Sequence, residues 1–379
     1  MERRQRASLF ANRKQVSFLP AKKMKILHCA DVHLGSVLEA SLSQARAKER
    51  RNELMLTFSE MIRYAEREKV QAVIIAGDLF DTSDVPPRTM DHAFRLMGMA
   101  QDITFFYLRG NHDTAPLGDL PENVIVAPHG GDWVYYSMEN VTIAMCDPQE
   151  NDNSYPYRLK FEKDRVNIAV LHGQTVQSAN AEKDRIPVRA LRGQYIDYLA
   201  LGHLHSYKTE QLDDRGIYCY SGCLEGRGFD ECGTKGFVLL ETKQGKIENE
   251  FIPFAKRTLH EIRCDISECT DMAQIEHAVL NNIARISRED MVAVHLDGAL
   301  DLGVDKNLAY LEQLLKGRFY AARLYDDTRL RMDPADYIQD FSLKGTFIRE
   351  VMKSDLTEAE KQKIITCGLD VLSGGEGAL

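Results

Sequence analysis

Five short apolar runs of this 379-residue chain end on residues that can bind metal. Asp31 and His33 follow Lys25 to Ala30, and Gly77 and Asp78 follow Ala72 to Ala76. Gly110, Asn111, His112 and Asp113 follow Ile103 to Leu108, His172 closes Val166 to Leu171, and Gly202, His203 and His205 follow Tyr195 to Leu201. One Asp-x-His pair alone is more often a polar cap at a sheet edge than a ligand pair. Five such clusters at the carboxyl ends of strands in an α/β sheet converge on one crevice. Histidine, carboxylate and amide oxygen without thiolate suit manganese, iron or zinc in expanded coordination, not structural zinc. The donors are too many for one ion. Divided between two, they form a site of the kind that clamps the attacking and leaving oxygens in phosphoryl-group hydrolysis, with ions about 3.5–4 Å apart. Gly77, Gly110 and Gly202 each precede a ligand and fit tight strand exits, where positive φ or close backbone approach is needed.

The elements that must position these residues read as α/β, because runs rich in Val, Ile, Leu and Phe alternate with longer helical segments. A helix is expected over roughly Ser43 to Lys69, with Leu54, Phe58, Met61 and Ile62 at helical spacing. Val141 to Met145, Gly216 to Tyr220, Gly236 to Glu241 and Lys246 to Phe254 read as further strands, and two β-layers covered by helices accommodate the set. Beyond Phe254 the chemistry stops. Thr258 to Asp265, Met291 to Leu296 and Tyr320 to Leu324 read as strands separated by helices at Asp271 to Ile286 and Lys306 to Leu315, a small appended α/β domain. From Asp336 the chain reads as helical, with Thr357 and Glu360 forming a capping box ahead of Ile364, Ile365, Leu369 and Val371. The expected organisation is a basic flexible tail (1–23), a core domain (24–255), a capping domain (256–335) and a helical segment (336–379).

With 44% hydrophobic and 28% charged residues the composition excludes a disordered or collagen-like chain. The 48 basic and 57 acidic residues leave a net charge of −9, so a nucleic-acid partner would have to be gripped by a local basic surface. No stretch approaches the roughly 18 consecutive apolar residues of a membrane span, and a cytoplasmic setting without membrane association is expected. The eight cysteines form no C-x-x-C pair and read as reduced, mostly buried thiols; Cys219 and Cys223, flanking a Ser221-Gly222 turn, are read as structural.

Taken in order, D-x-H (Asp31, His33), G-D-x-x-D (Gly77, Asp78, Asp81), G-N-H-D (Gly110 to Asp113), H-G (His172, Gly173) and G-H-x-H (Gly202 to His205) resemble the calcineurin-like metallophosphoesterase superfamily. The A-D-V-H-L-G opening, the A-G-D-L-F-D-T run and Y-S-G (Tyr220 to Gly222) are similar to the DNA double-strand-break repair nucleases of the SbcD type, over about residues 24 to 255. The resemblance implies a four-layer α/β/β/α sandwich with a small α/β capping domain and a helical C-terminus. It implies two divalent ions, manganese above all, one held by Asp31, His33, Asp78 and His205 and the other by Asp78, Asn111, His172 and His203, with Asp78 bridging. A hydroxide activated by both cations would attack phosphorus in line, His112 would stabilise or protonate the leaving oxygen, and Asp81 would orient His112. Archaeal relatives carry histidine at the Asp81 position; aspartate matches the wider phosphatase-like pattern and leaves the preferred DNA ends open.

Arg109, Arg227 and Ser221 are the expected substrate contacts, with a surface turn in which Arg227 pairs with Asp230 or Glu231 as the alternative for that arginine. The implied partners are DNA, an SbcC-type coiled-coil ATPase docked on the C-terminal helices, and a second copy as a homodimer through the core. The competing reading keeps the metal site but changes the substrate to a small phosphodiester or phosphoprotein, against which the appended domain speaks. A non-catalytic subunit would require lost function with every ligand present.

Overall fold

The computed structural model describes residues 23–38, 42–82, 85–149, 152–177, 184–301, 304–331 and 339–372. The basic tail expected over 1–23 falls outside these except for Lys23, as does the start of the expected helical segment at Asp336. Two compact units divide the chain. The first takes the residues up to Ser36, Leu54–Leu224 and Gly236–Ile252; the second takes Val37–Glu53, Glu225–Lys235 and the residues from Pro253 on.

In the first unit, two six-stranded sheets face one another. One runs in the order Lys246–Pro253, Gly236–Lys243, Lys25–Cys29, Ala72–Ala76, Thr104–Leu108, Val124–Val126. The other runs Lys208–Gln211, Ile217–Tyr220, Tyr198–Gly202, Val166–His172, Val141–Met145, Val134–Met138. The central strands of each are parallel, so their carboxyl ends share an edge. Alternation explains the layering, since successive strand residues point to opposite faces. Ile26, Ile74 and Phe106 of the first sheet share one buried cluster with Ile143, Ile168, Val170 and Ala200 of the second. Their sequence neighbours Ala144, Ala169, Leu171 and Leu199 point the other way, onto Trp133, Tyr155 and Leu191. On the outer side of the first sheet, Leu27, Val73, Ile75 and Phe105 are buried, as are Leu54, Phe58, Met61 and Ile62 of the helix Gln44–Arg67. The four-layer α/β/β/α arrangement is present, although the layer over the second sheet is built from four-residue helices, Tyr155–Arg158 and Val188–Leu191.

The second unit contains the expected β-α-β-α-β pattern: a parallel sheet of Leu259–Asp265, Met291–Asp297 and Ala321–Asp326, with the helices Met272–Asn282 and Leu308–Arg318 between them in sequence. The helix Glu358–Leu372 opens on the anticipated capping box, in which the Thr357 N–H donates to Glu360 Oε2 at 2.9 Å and the Glu360 N–H to Thr357 Oγ1 at 3.4 Å. Its Ile365 and Leu369 are buried with Ile348 of Leu343–Met352, while Ile364 and Val371 are exposed. All eight cysteines are unpaired thiols, and Cys219 and Cys223 are buried.

A buried ionic cluster ties the three sequence-distant pieces of this unit. Arg50 donates to Glu53 at 2.6 Å, to Glu225 at 3.1 Å and to the Gly226 carbonyl at 2.8 Å, while Arg257 donates to Glu53 Oε1 at 2.6 Å and lies 3.5 Å over the Tyr320 ring. Burial alone would raise the Glu53 carboxyl, but hydrogen bonds from Arg257, Lys256 and Arg50 override it and hold the group at about 2. Because this folded value lies below the ordinary one, the stabilisation is present above about pH 4.5 and is lost as the pH falls toward 2. Glu53→Gln removes the carboxylate shared by two buried guanidinium groups, which keep Glu225 and Glu289 as partners, and is expected to destabilise the chain by about 1–3 kcal/mol at neutral pH, and by progressively less on acidification. Urea denaturation of both proteins at pH 7 and pH 3 checks this; an equal deficit at both values contradicts it.

Candidate metal centre

At the shared edge of the two sheets in the first unit, strand ends meet closely enough to bond. His172 of the second sheet donates from Nδ1 to the carbonyl of Ala76, the last strand residue before Asp78, at 2.9 Å. Nothing larger than hydrogen fits there. A Cβ on Gly77, whose φ is +96°, would lie 2.0 Å from His172 Nδ1, and one on Gly110 would lie 2.2 Å from Asp78 Oδ1. The two glycines thus serve different needs, one backbone conformation and proximity, the other proximity alone. Asp31, His33, Asp78 and His203 have φ of 50°, 49°, 51° and 97°. Left-handed backbone at non-glycine residues costs of order 1–3 kcal/mol each and clusters at functional sites.

The donors converge in overlapping sets. Atoms of Asp31, His33 and His205 lie within 4.8 Å of one another, as do those of Asp31, Asp78 and His172, and those of His33, Asp81 and His112. His33 Nε2 is 3.3 Å from His205 Nε2 and 3.9 Å from Asp78 Oδ2. His172 Nε2 is 3.3 Å from Asp78 Oδ2 and 3.0 Å from Asn111 Oδ1. Metal bonds of about 2.0–2.2 Å put adjacent octahedral donors roughly 3 Å apart and opposite ones roughly 4.2 Å apart, so these spacings suit a cation. The His172 tautomer agrees. With the His172 Nδ1 proton on the Ala76 carbonyl, its Nε2 turns a lone pair inward, and His33 Nδ1 faces Asp81 Oδ1 at 3.0 Å. His203 joins through its backbone, whose N–H donates to both Asp31 oxygens at 2.9 and 3.1 Å, and through its ring, 5.5 Å from that of His172.

Electrostatics point the same way. Burial, aided by Asp78, raises the Asp31 carboxyl. Burial would raise Asp78 as well, but hydrogen bonding and charge from His172 hold it at about 2. Burial would lower His172, yet the carboxylates of Asp78 and Asp31 bring it to about 9. The cluster draws positive charge, which a divalent ion supplies more fully than one proton. Two divalent cations fit the nitrogen and oxygen donors present.

Three expectations change. The Asp81 carboxylate lies 3.0 Å from His33 Nδ1, and it is the Asp81 main-chain carbonyl that lies 2.6 Å from His112 Nδ1. The strand exit after Asp78 presents both groups of one residue to two histidines. Ser221 is fully buried with its hydroxyl donating to the Gly222 carbonyl at 3.1 Å, so it offers a substrate no surface. Arg227, in the second unit, donates from Nε and Nη2 to the buried Glu231 at 3.0 and 2.7 Å, the pairing of the alternative reading, although not on the surface. Arg109 spans its own loop, donating to the carbonyls of Asp113 and Ala115. His112 is exposed, and its N–H donates to Asp78 Oδ1 at 2.9 Å.

Sequence reasoning gave Asp113 no role, yet it is the pin of the site. Its buried carboxylate accepts from the N–H groups of Leu79, Phe80 and Gly110 at 3.2, 2.8 and 3.0 Å, joining two ligand-bearing loops, and burial pushes it up to about 6. The signal was the closing aspartate of G-N-H-D. Because the Asp81 carboxylate is the charge 3.0 Å from His33 Nδ1, Asp81→Ala is expected to weaken metal affinity by about 10–100-fold. Calorimetric manganese titration checks this, and unchanged affinity would return Asp81 to a role at His112 alone.

Residues 24–207 match the calcineurin-like phosphoesterase family model. They form a calcineurin-like metallophosphoesterase domain, the class that the paired sheets and converging donors define. The chain is 28% identical over 300 residues to the DNA double-strand break repair protein Mre11 of Aeropyrum pernix, covering 70% of each chain. It is 22% identical to a subunit of the nuclease SbcCD of Escherichia coli K12, over 93% of this chain and 99% of that one. It is 23% identical to the uncharacterized metallophosphoesterase YhaO of Bacillus subtilis, over 70% and 69%.

Proposed function

We propose that the chain is a DNA phosphodiesterase with a dinuclear metal centre, acting in double-strand-break repair or DNA-end processing. The observation that carries this reading is the convergence of inward-facing donors around Asp78. The names borne by the Aeropyrum and Escherichia relatives supply the DNA substrate. We assign one cation to Asp31, His33, Asp78 and His205 and the other to Asp78, Asn111, His172 and His203, with manganese as the native metal. Bound there, such cations supply an activated hydroxide and neutralise charge on phosphate oxygens. His112, held through Nδ1 by the Asp81 carbonyl, turns Nε2 toward the leaving oxygen as its proton donor. Asp81 positions His33, Asp113 holds the two loops in register, and Arg109 adds positive charge beside them.

In this reading an SbcC-type coiled-coil ATPase docks on the C-terminal helices, the core pairs with a second copy, and the setting is cytoplasmic. Among the described residues no helix is long and apolar enough to cross a membrane. The test is manganese-dependent cleavage of end-labelled linear duplex DNA beside bis(p-nitrophenyl) phosphate. Degradation of the duplex is expected. Cleavage of the chromogenic ester with DNA untouched, even in the presence of the ATPase, moves the substrate to a small phosphodiester or phosphoprotein.

A further inference from the structure

A cavity of about 610 Å³ opens in the first unit directly beside Asn111 and His172. Pockets of this size hold a ligand as large as a nucleotide. Its wall is not that of a backbone-tracking groove, which would be basic. Asp147, Asp152 and Asp184 line it with Arg109 and Arg185. Arg109 is bonded to the loop carbonyls and Asp152 to Arg158 at 2.6 Å, so little uncommitted positive charge faces the space for a second phosphate. Leu108, Cys146, Pro148, Tyr155, Leu171 and Ile186 supply apolar surface.

The same cavity is lined by a histidine that the metal centre does not use. His129 Nδ1 lies 2.7 Å from Asp147 Oδ2, and its side chain is 81% exposed. The carboxylate takes the Nδ1 proton and leaves Nε2 with a lone pair for an N–H donor.

We propose that this cavity is a nucleobase subsite, in which His129, oriented by Asp147, accepts a hydrogen bond from the heterocycle of the nucleotide whose phosphate lies at the metal centre. The inference rests on the phosphodiesterase reading and names the part of the substrate that its site reads. A half-apolar chamber with more carboxylates than guanidinium groups admits a base and excludes a second phosphate. A base can enter only after leaving the duplex stack, so unpaired or frayed ends are the preferred substrates.

The test compares binding of deoxyadenosine 5′-monophosphate and deoxyribose 5-phosphate to the manganese-loaded full chain by calorimetry. The base is expected to improve affinity by about 10–100-fold. His129→Ala is expected to reduce that ratio several-fold. Thr114→Trp, an exposed wall position filled by indole, is expected to bring it near one, with thermal melting confirming that each variant is folded. A wild-type ratio near one, or a large ratio that neither substitution alters, overturns the subsite. Duplex cleavage by the same preparation separates the two claims. DNA degraded with a ratio near one sinks the subsite alone, whereas a large, substitution-sensitive ratio without DNA cleavage sinks the nuclease reading and keeps the subsite.

Discussion

Asp78→Asn abolishes hydrolysis and releases both cations while leaving the fold standing. Asp78 is the carboxylate that faces His33 and His172 from opposite ligand sets, and it also receives the His112 N–H. Removing its charge therefore weakens both metal positions and loosens the loop bearing the proton donor. Metal stabilisation of a phosphoryl transition state is worth several kcal/mol, and each ~1.4 kcal/mol is tenfold in rate, so a loss on the order of 10³–10⁴ is expected. Asparagine is the informative replacement because it tolerates the left-handed backbone at φ 51°, where alanine would add strain. The variant should melt like the metal-free wild type and still associate with the ATPase. Residual activity within tenfold of wild type, with both metals retained, would remove Asp78 from the bridging position.

His112→Gln is expected to lower kcat on DNA by about 10²–10⁴-fold with metal affinity unchanged, because His112 acts on the leaving oxygen and is not among the assigned ligands. The loss should shrink on bis(p-nitrophenyl) phosphate, whose leaving group needs no proton. That dependence separates proton donation from structural support: a variant equally slow on both substrates has lost site geometry, and one with weakened manganese binding has lost a ligand.

Much of this arrangement was legible in residue order. Apolar runs ending on Asp, Gly or His identified the parallel strands and the edge where they end, and the buried Leu54, Phe58, Met61 and Ile62 lie on the helix that their spacing anticipates. The strand Lys208–Gln211 left no such trace, because it is an edge strand whose four polar residues are all exposed. Nor did the helix Pro87–Met99, which buries only Ala93, Phe94 and Met97 and has no side-chain cap.

At the site, spacing identified residue types but not which atom of each is used. Asp81 lies near two histidines, and only the folded strand exit gives its carboxylate to one and its carbonyl to the other. Nothing local singles out Arg50, Glu53, Glu225 and Arg257, since neutralisation across as many as 204 residues has no local pattern. For the same reason the segment boundaries at 23, 255 and 335 stand as our proposal for the parcelling of function. The compact units themselves are discontinuous in sequence.

The most direct measurement is anomalous diffraction from a crystal of the full chain soaked in manganese. Two peaks about 3.5–4 Å apart are predicted, one among Asp31, His33, Asp78 and His205 and the other among Asp78, Asn111, His172 and His203. A single peak, or two peaks that do not share Asp78, would contradict the dinuclear centre.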